Sequence, residues 1–429
     1  MKADFTNLPF RPADILLPQD CDYDKWAVVA CDQYTSQPEY WQRVEERVGR
    51  APSALRLILP ESSLDGPQVE MDIMDINATM SRYVREGRFK TLPGAMIYVE
   101  RTLHSGRLRR GLVGMADLKD YDYEPGSDAL IRATEGVVMS RIPPRIAVRK
   151  NAPIELPHAM LLTDDPQRTV IEPLSAQTEE MELLYDFDLM EQGGHVKGWL
   201  LGERQLEQVA AALSALADPA AFNARYGVQD QPVMLFAMGD GNHSLATAKE
   251  CYERQKRLVP PEKWDVIPAR FALCELVNLH DESLEFEPIH RVVFHTDPQA
   301  LLDALVRAYP GARRGRTAGD GLPLRCLCAG EEGVVTVPAC AARLPVGALQ
   351  SFLDDYLMDH PGRVDYIHGE DVAREFAARP GNIAFLLPPM DKEELFPSVI
   401  HDGVLPRKTF SMGEAHDKRF YLEARKIRK

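Results

Sequence analysis

Residues 232–254, PVMLFAMGDGNHSLATAKECYER, constrain the fold more than any other stretch. Positions 233–238 are an unbroken apolar run of strand length, which suits a strand buried on both faces. Gly239, Asp240 and Gly241 break it. Asn242 follows, and Leu245, Ala248 and Tyr252 then recur at helical spacing. A buried strand, a tight glycine turn and a helix start gather backbone N–H groups and the positive end of a helix dipole, which favours an anion. Asp240, Asn242, His243 and Ser244 stand at its mouth. Asx and serine residues are also ordinary helix caps, and Gly-Asp-Gly is an ordinary turn. A carboxylate, an imidazole, an amide and a hydroxyl together exceed what capping needs.

The remaining composition narrows the function classes. The chain has 429 residues, with 45% hydrophobic and 27% charged, as in a soluble globular protein. A net charge of −15 disfavours sequence-independent nucleic-acid binding, which needs a basic footprint. Seven cysteines form no C-x-x-C pair, so a disulfide framework or zinc ribbon is not expected. Cys251 and Cys274 lie in apolar patterns and read as core. No apolar run has signal-peptide or membrane-spanning character, and a soluble, cytoplasmic protein without membrane partners is expected.

Along the chain, residues 26–30 read as a buried strand leading through Asp32 and Tyr34 to a helix capped by Ser36 and Glu39. The expected buried stripe of that helix is Trp41, Val44 and Val48. A second amphipathic helix covers 69–86, and 95–101 with 109–118 read as a hairpin. Short strands are expected at 159–162, 169–171 and 182–189, with an exposed His195 beyond them. A helix at 203–217 precedes the central strand, and another buried strand follows at 271–279. The last part alternates helices (297–309, 347–358, 370–378) with strands (324–328, 334–337, 383–387). The basic, glycine-rich stretch 311–321 reads as a tolerant loop.

No Walker loop, G-x-S-x-G elbow or H-E-x-x-H pair is present. Gly239-x-Gly241 lacks the third small residue of a dinucleotide fingerprint, because Ser244 stands there. A carboxylate and an imidazole at an anion-binding helix start suit phosphoryl transfer, in which the protein positions groups and stabilises charge. In that reading Asp240 binds magnesium or takes the acceptor's proton, the amides from Gly241 to Ser244 hold phosphate oxygens, and His243 bonds a phosphate.

The motif Asp240-Gly241-Asn242-His243 with Ala246-Thr247-Ala248 resembles the Asp-Gly-His-His-Arg-Tyr-Glu-Thr-Ala signature of the bacterial and archaeal family called domain of unknown function 1015. Phe10-Arg11-Pro12, Val28-Val29-Ala30, Arg132-Ala133-Thr134-Glu135, Pro288-Ile289-His290-Arg291 and Leu405-Pro406-Arg407-Lys408-Thr409-Phe410 are similar to further segments of that family. The likeness covers nearly the whole chain. The central motif is in turn similar to the helix start of the ParB–sulfiredoxin superfamily, which includes nucleotide-binding proteins and free-serine kinases. The resemblance implies an α+β fold with mixed sheets and a central sulfiredoxin-like unit. It implies catalytic roles for Glu135, Asp240 and His243, and nucleotide contacts from Gly241, Asn242, Ser244 and Arg132. ATP or ADP with Mg2+ is the implied cofactor, with Asp240 as metal ligand.

Three departures stand out. Ser244 replaces the motif arginine, Asn242 replaces the first histidine, and no histidine precedes Glu135. A serine cannot supply a guanidinium's charge, so Arg132, Arg141 or Arg145 is expected to stand in. The expected regions are 1–125, 126–295 with the Asp240 motif, and 296–429. The function expected is a phosphotransferase acting from a nucleotide on a small hydroxylated metabolite such as an amino acid. The alternative is a non-catalytic protein that binds a nucleotide or metabolite.

Overall fold

The computed structural model describes residues 3–428 apart from Ser36 and Asp65. The α+β class with mixed sheets holds, and the chain forms two compact units. One comprises everything up to Glu285 and again from Gly413, and the other is Phe286–Met412. The expected 296–429 region is thus divided, since its last residues return to the first unit.

Among the described residues, the first unit is built on a ten-stranded sheet. Its strands are β1 (Phe10–Arg11), β2 (Ile97–Thr102), β3 (Leu108–Asp117), β4 (Tyr121–Asp122), β5 (Ile131–Arg132), β6 (Met160–Thr163), β7 (Glu182–Asp188), β8 (His195–Leu200), β9 (Phe236–Asp240) and β10 (Phe271–Asn278). They lie in the order β7-β8-β2-β3-β10-β6-β9-β5-β4, with β1 beside β3. The hairpin β2–β3 and the long buried β10 form antiparallel pairs, whereas β6 runs parallel to β10 and β5 parallel to β9. Helices α1 (Ile142–Arg149) and α2 (Asn242–Lys256) pack on each other. Cys251 and Cys274 are buried, and all seven cysteines are free.

Three local readings need correction. Residues 169–171 form no strand. The Asp165 carboxylate accepts the N–H groups of Thr169 (2.6 Å) and Val170 (2.9 Å), so those donors are taken by a side chain and not by a sheet ladder. The strand at 26–30 shrinks to Val28–Val29, because Trp26 ends a short helix (Tyr23–Trp26) and sends its indole N–H to the Leu422 carbonyl at 3.1 Å. His195 is half-buried in β8, with Asp186 and Asp188 each 2.6 Å from a ring nitrogen. The helix after Asp32 is Pro38–Val48, with Tyr40, Val44 and Val48 buried and Trp41 half-buried. Its expected cap, Ser36, lies outside the described residues.

The C-terminal segment is tied into the first unit through buried charge. Phe420–Tyr421 pairs antiparallel with Val28–Val29, and Arg425–Lys426 with Ile154–Glu155. Arg101 donates to the His416 carbonyl at 2.6 Å, and Arg109 to that of Asp417 at 2.8 Å. Such donors satisfy carbonyls that a loop lacking sheet partners would otherwise bury unpaired.

The second unit holds a seven-stranded antiparallel sheet, again among the described residues. Its strand Phe286–Phe294 lies between Ile383–Leu386 and the edge strand Arg363–His368. Two segments that resemble family motifs meet here. The fully buried Arg291 donates to the carbonyls of Arg407 and Lys408, each at 2.8 Å, and stacks on Tyr366. It therefore clamps the 405–410 segment by its backbone.

Candidate functional site

The central strand, turn and helix form as read. β9 ends at Asp240, Gly241 takes φ 77°, and α2 runs 15 residues from Asn242. Glycine is required at 241 on two counts. The left-handed backbone disfavours a side chain, and a Cβ would lie 2.9 Å from the Ala159 Cα, a backbone atom that cannot step aside. The strand enters at 236, later than the apolar run begins, although Met234 and Leu235 are buried.

Among the described residues no side chain caps α2. Asp240 instead folds back, its Oδ1 accepting the Gly241 N–H at 2.9 Å. The Oδ2 of Asp240 lies 3.3 Å from the Nζ of Lys418, a lysine only 8% exposed. Lys418 reaches this place because the neighbouring Arg419 carbonyl accepts the Ala30 N–H (2.9 Å), which lays the tail beside Cys31 and Asp32. Burial opposes ionisation of Asp32, but the imidazole of His158, a hydrogen bond from Gln33 and the ammonium of Lys418 outweigh it and hold its carboxyl below the ordinary range. His158 is buried, and its Nδ1 lies 2.6 Å from the Tyr421 hydroxyl, which also accepts the Cys31 N–H at 3.2 Å. Burial pushes the pKa of that hydroxyl well up, so it stays a phenol with a proton to share.

Asp32 yields a pH prediction. A carboxyl depressed in the folded state adds stability that is complete above the ordinary carboxyl range and lost as pH falls through the depressed value. Wild type is therefore expected to lose stability below about pH 5 more steeply than Asp32→Asn. The two urea midpoints should differ at pH 7 and converge in acid. Equal slopes would show that His158 and Lys418 do not act on Asp32.

The remaining expected residues fall as follows. Glu135 is half-buried in the loop after β5, and β5 and β9 are parallel neighbours, so Glu135 and Asp240 leave the same edge of the sheet. That loop is fixed at both ends. Thr134 donates its hydroxyl to the Met238 carbonyl at 2.8 Å, and the Val138 N–H donates to His243 Nε2 at 3.2 Å. An accepting Nε2 carries no proton, so His243 in this arrangement orders the loop that carries Glu135. Asn242 opens the helix with its Oδ1 buried and, among the described residues, without a hydrogen-bond partner. Ser244 lines a pocket between α2 and α1.

Arg132 is not brought to this group. Its guanidinium donates to the carbonyls of Ala129 and Pro232, each at 2.9 Å, at the opposite end of β5 and β9 from Asp240. Burial lowers its pKa, and those two carbonyls hold its Nε and one terminal nitrogen. Arg145 and Arg141 both face Glu61, at 2.8 and 3.8 Å. Sequence reasoning missed Lys418 and His158. The only available signal for Lys418 was its place in a basic tail, and Asp32 was visible as a strand-end carboxylate.

Among the described residues no three His, Cys, Asp or Glu side chains gather as a metal site. The second unit has a cleft of ≈ 1170 Å³, in which Arg325 pairs with Glu332 at 2.6 Å and Glu370 at 3.5 Å.

Residues 11–356 match the family model described as protein of unknown function (DUF1015). The chain belongs to this family. A comparison with curated proteins gave no match. Among solved structures, this family member is similar to a conserved hypothetical protein from Pyrococcus furiosus at 11% identity, over 73% of this chain and 94% of that one, with a TM-score of 0.38. It is similar to a free serine kinase in complex with AMP at 11% identity, over 73% and 91%, with a TM-score of 0.39. It is also similar to C-terminally truncated SbnI from Staphylococcus aureus at 6% identity, over 70% and 82%, with a TM-score of 0.38. No described helix is long and apolar enough to cross a membrane.

Proposed function

We propose that the start of α2 binds the phosphates of a nucleotide and that the first unit transfers a phosphoryl group from it to a small hydroxylated metabolite. The observation that carries this reading is the helix start, without a side-chain cap among the described residues, next to the half-buried Asp240 carboxylate and its buried partner Lys418. Backbone N–H groups and the helix dipole supply the anion site. Lys418 supplies the cation that Ser244 cannot, and a lysine is a sufficient point charge for a phosphate. The buried Oδ1 of Asn242, without a partner among the described residues, adds an acceptor for a hydroxyl or a metal-bound water.

Magnesium fits this donor set in one manner. It usually binds through one or two carboxylates together with substrate phosphates, and not in an all-protein cage. Asp240 and Asp32 would be those carboxylates, and the ion would neutralise phosphate charge. Glu135, in the loop beyond the same end of the sheet as Asp240, would take the acceptor's proton. His243 keeps the loop of Glu135 against the helix.

The test is a turnover screen of the full chain with Mg2+, ATP or ADP, and a pool of hydroxylated metabolites. Consumption of nucleotide that depends on an acceptor is expected. Nucleotide binding without any turnover would favour a sensor, and neither binding nor turnover in folded protein would sink both readings.

A further inference from the structure

Behind Ser244 lies a pocket of ≈ 140 Å³. Its walls are mainly aliphatic, with Leu57, Met80, Val148 and Ile154 among them. Polar groups stand at its borders. Ser244 and Thr247 come from α2, and Tyr421 brings its hydroxyl with His158. The Thr247 hydroxyl is spent on the His243 carbonyl at 2.6 Å. Among the described residues the Ser244 hydroxyl has no partner. Arg145 closes another side, one guanidinium nitrogen on Glu61 at 2.8 Å and another on the Arg141 carbonyl at 2.8 Å, leaving further N–H donors.

Size decides what fits. A dry cavity of about 150 Å³ holds a molecule as large as benzene, whereas pockets for drug-sized ligands run to about 300–1,000 Å³. A nucleotide cannot enter this pocket, but a compact molecule can. The walls decide its character. A molecule as small and polar as serine would leave much of the aliphatic surface uncovered.

We infer that this pocket holds the acceptor, and that the acceptor is a small branched aliphatic hydroxy acid, its carboxylate on Arg145 and its hydroxyl end at Ser244. The inference rests on the phosphate-site reading of the α2 start. In the transfer the hydroxyl oxygen bonds to the terminal phosphorus, its proton leaves to a carboxylate, and the bond from that phosphorus to the shortened nucleotide breaks.

Binding to the full chain would be measured by calorimetry with 2-hydroxy-3-methylbutanoate, with L-serine and with the neutral 3-methylbutane-1,2-diol. The hydroxy acid is expected to bind at least about tenfold more tightly than serine, since its added buried carbons each contribute severalfold. Arg145→Met should reduce the acid to the affinity of the diol. Ala152→Leu, which fills the pocket, should abolish acid binding and leave Mg–nucleotide affinity unchanged. Met80→Ala, which enlarges the pocket, should shift preference towards a longer acid and covers the case in which the filled variant does not fold. Serine binding as well as the hydroxy acid, or Ala152→Leu weakening nucleotide and not acid, would overturn the inference. Nucleotide titrations on the same samples separate the two ideas. Nucleotide binding without acid binding removes the pocket assignment alone. Acid binding without nucleotide binding removes the phosphate-site reading and shows the pocket to be an acid site in its own right.

Discussion

Replacing Glu275 with alanine is expected to destabilise the first unit by about 3–5 kcal/mol, the usual effect of leaving a buried charge without its partner. Glu275 lies mid-strand in β10 and is 4% exposed. Its Oε2 is 3.2 Å from Arg419 Nε and its Oε1 is 4.0 Å from Arg109 Nε, and both arginines are buried. Arg419 also pairs with Glu423 at 2.7 Å, and Glu423 accepts the Tyr185 hydroxyl at 2.6 Å. Removing the central carboxylate leaves Arg419 with Glu423 and takes from Arg109 the acid it faces, in a medium that screens poorly. A domain with a typical 5–15 kcal/mol of stability would survive only narrowly. Urea unfolding of wild type, Glu275→Ala and Glu275→Gln measures the loss, and the amide should recover only a small part because it restores shape and not charge. A loss below about 1 kcal/mol in Glu275→Ala would show that water reaches the network and screens it.

The same network explains why part of the site could not be read from the sequence. Lys418 stands next to Arg419, and it is Arg419, held by Glu275 and Glu423, that brings the lysine to Asp240. No local pattern near residue 418 encodes that, because the pairing depends on charges contributed by β10 and by the tail itself. His158 is hidden for a similar reason, since its partner is Tyr421 of the same tail. The strand, turn and helix at 236–256 were legible because each step leaves a local signature: apolar run, φ-positive glycine, helical period. The amphipathic helix Val69–Arg85 and the hairpin of β2 and β3 were legible on the same grounds. Residues 169–171 misled because their apolar pattern is that of a strand, while Asp165, four residues back, had already taken their donors. Among site residues, Arg132 shows the limit of a residue type read alone. An arginine beside a motif looks like a phosphate ligand, yet its neighbours Ala129 and Pro232 offer carbonyls that hold it at the far end of the strands.

On the proposed phosphotransferase reading, Asp240→Asn is expected to lower turnover by about 10²–10⁴-fold, the range for losing a group that handles a proton in the transition state, while nucleotide affinity changes only severalfold. The geometry makes the change selective. Asparagine keeps an oxygen for the Gly241 N–H, so the turn and the start of α2 persist. What disappears is the charge facing Lys418 at 3.3 Å. The lysine then has Asp32 as its remaining nearby acid and meets phosphate with less competition, so binding holds or tightens slightly. Lys418→Met should behave in the opposite sense. It removes a charge-assisted hydrogen bond worth about 1.5–3 kcal/mol and should weaken nucleotide binding by roughly 10- to 150-fold. Single-turnover rates together with equilibrium titration of both variants distinguish the roles. Equal losses of affinity in the two would make Asp240 and Lys418 a binding pair without a chemical division of labour. Unchanged rate and affinity in Asp240→Asn would remove the carboxylate from the reaction and leave the pair as a fixture that pins the C-terminal tail to the central strand.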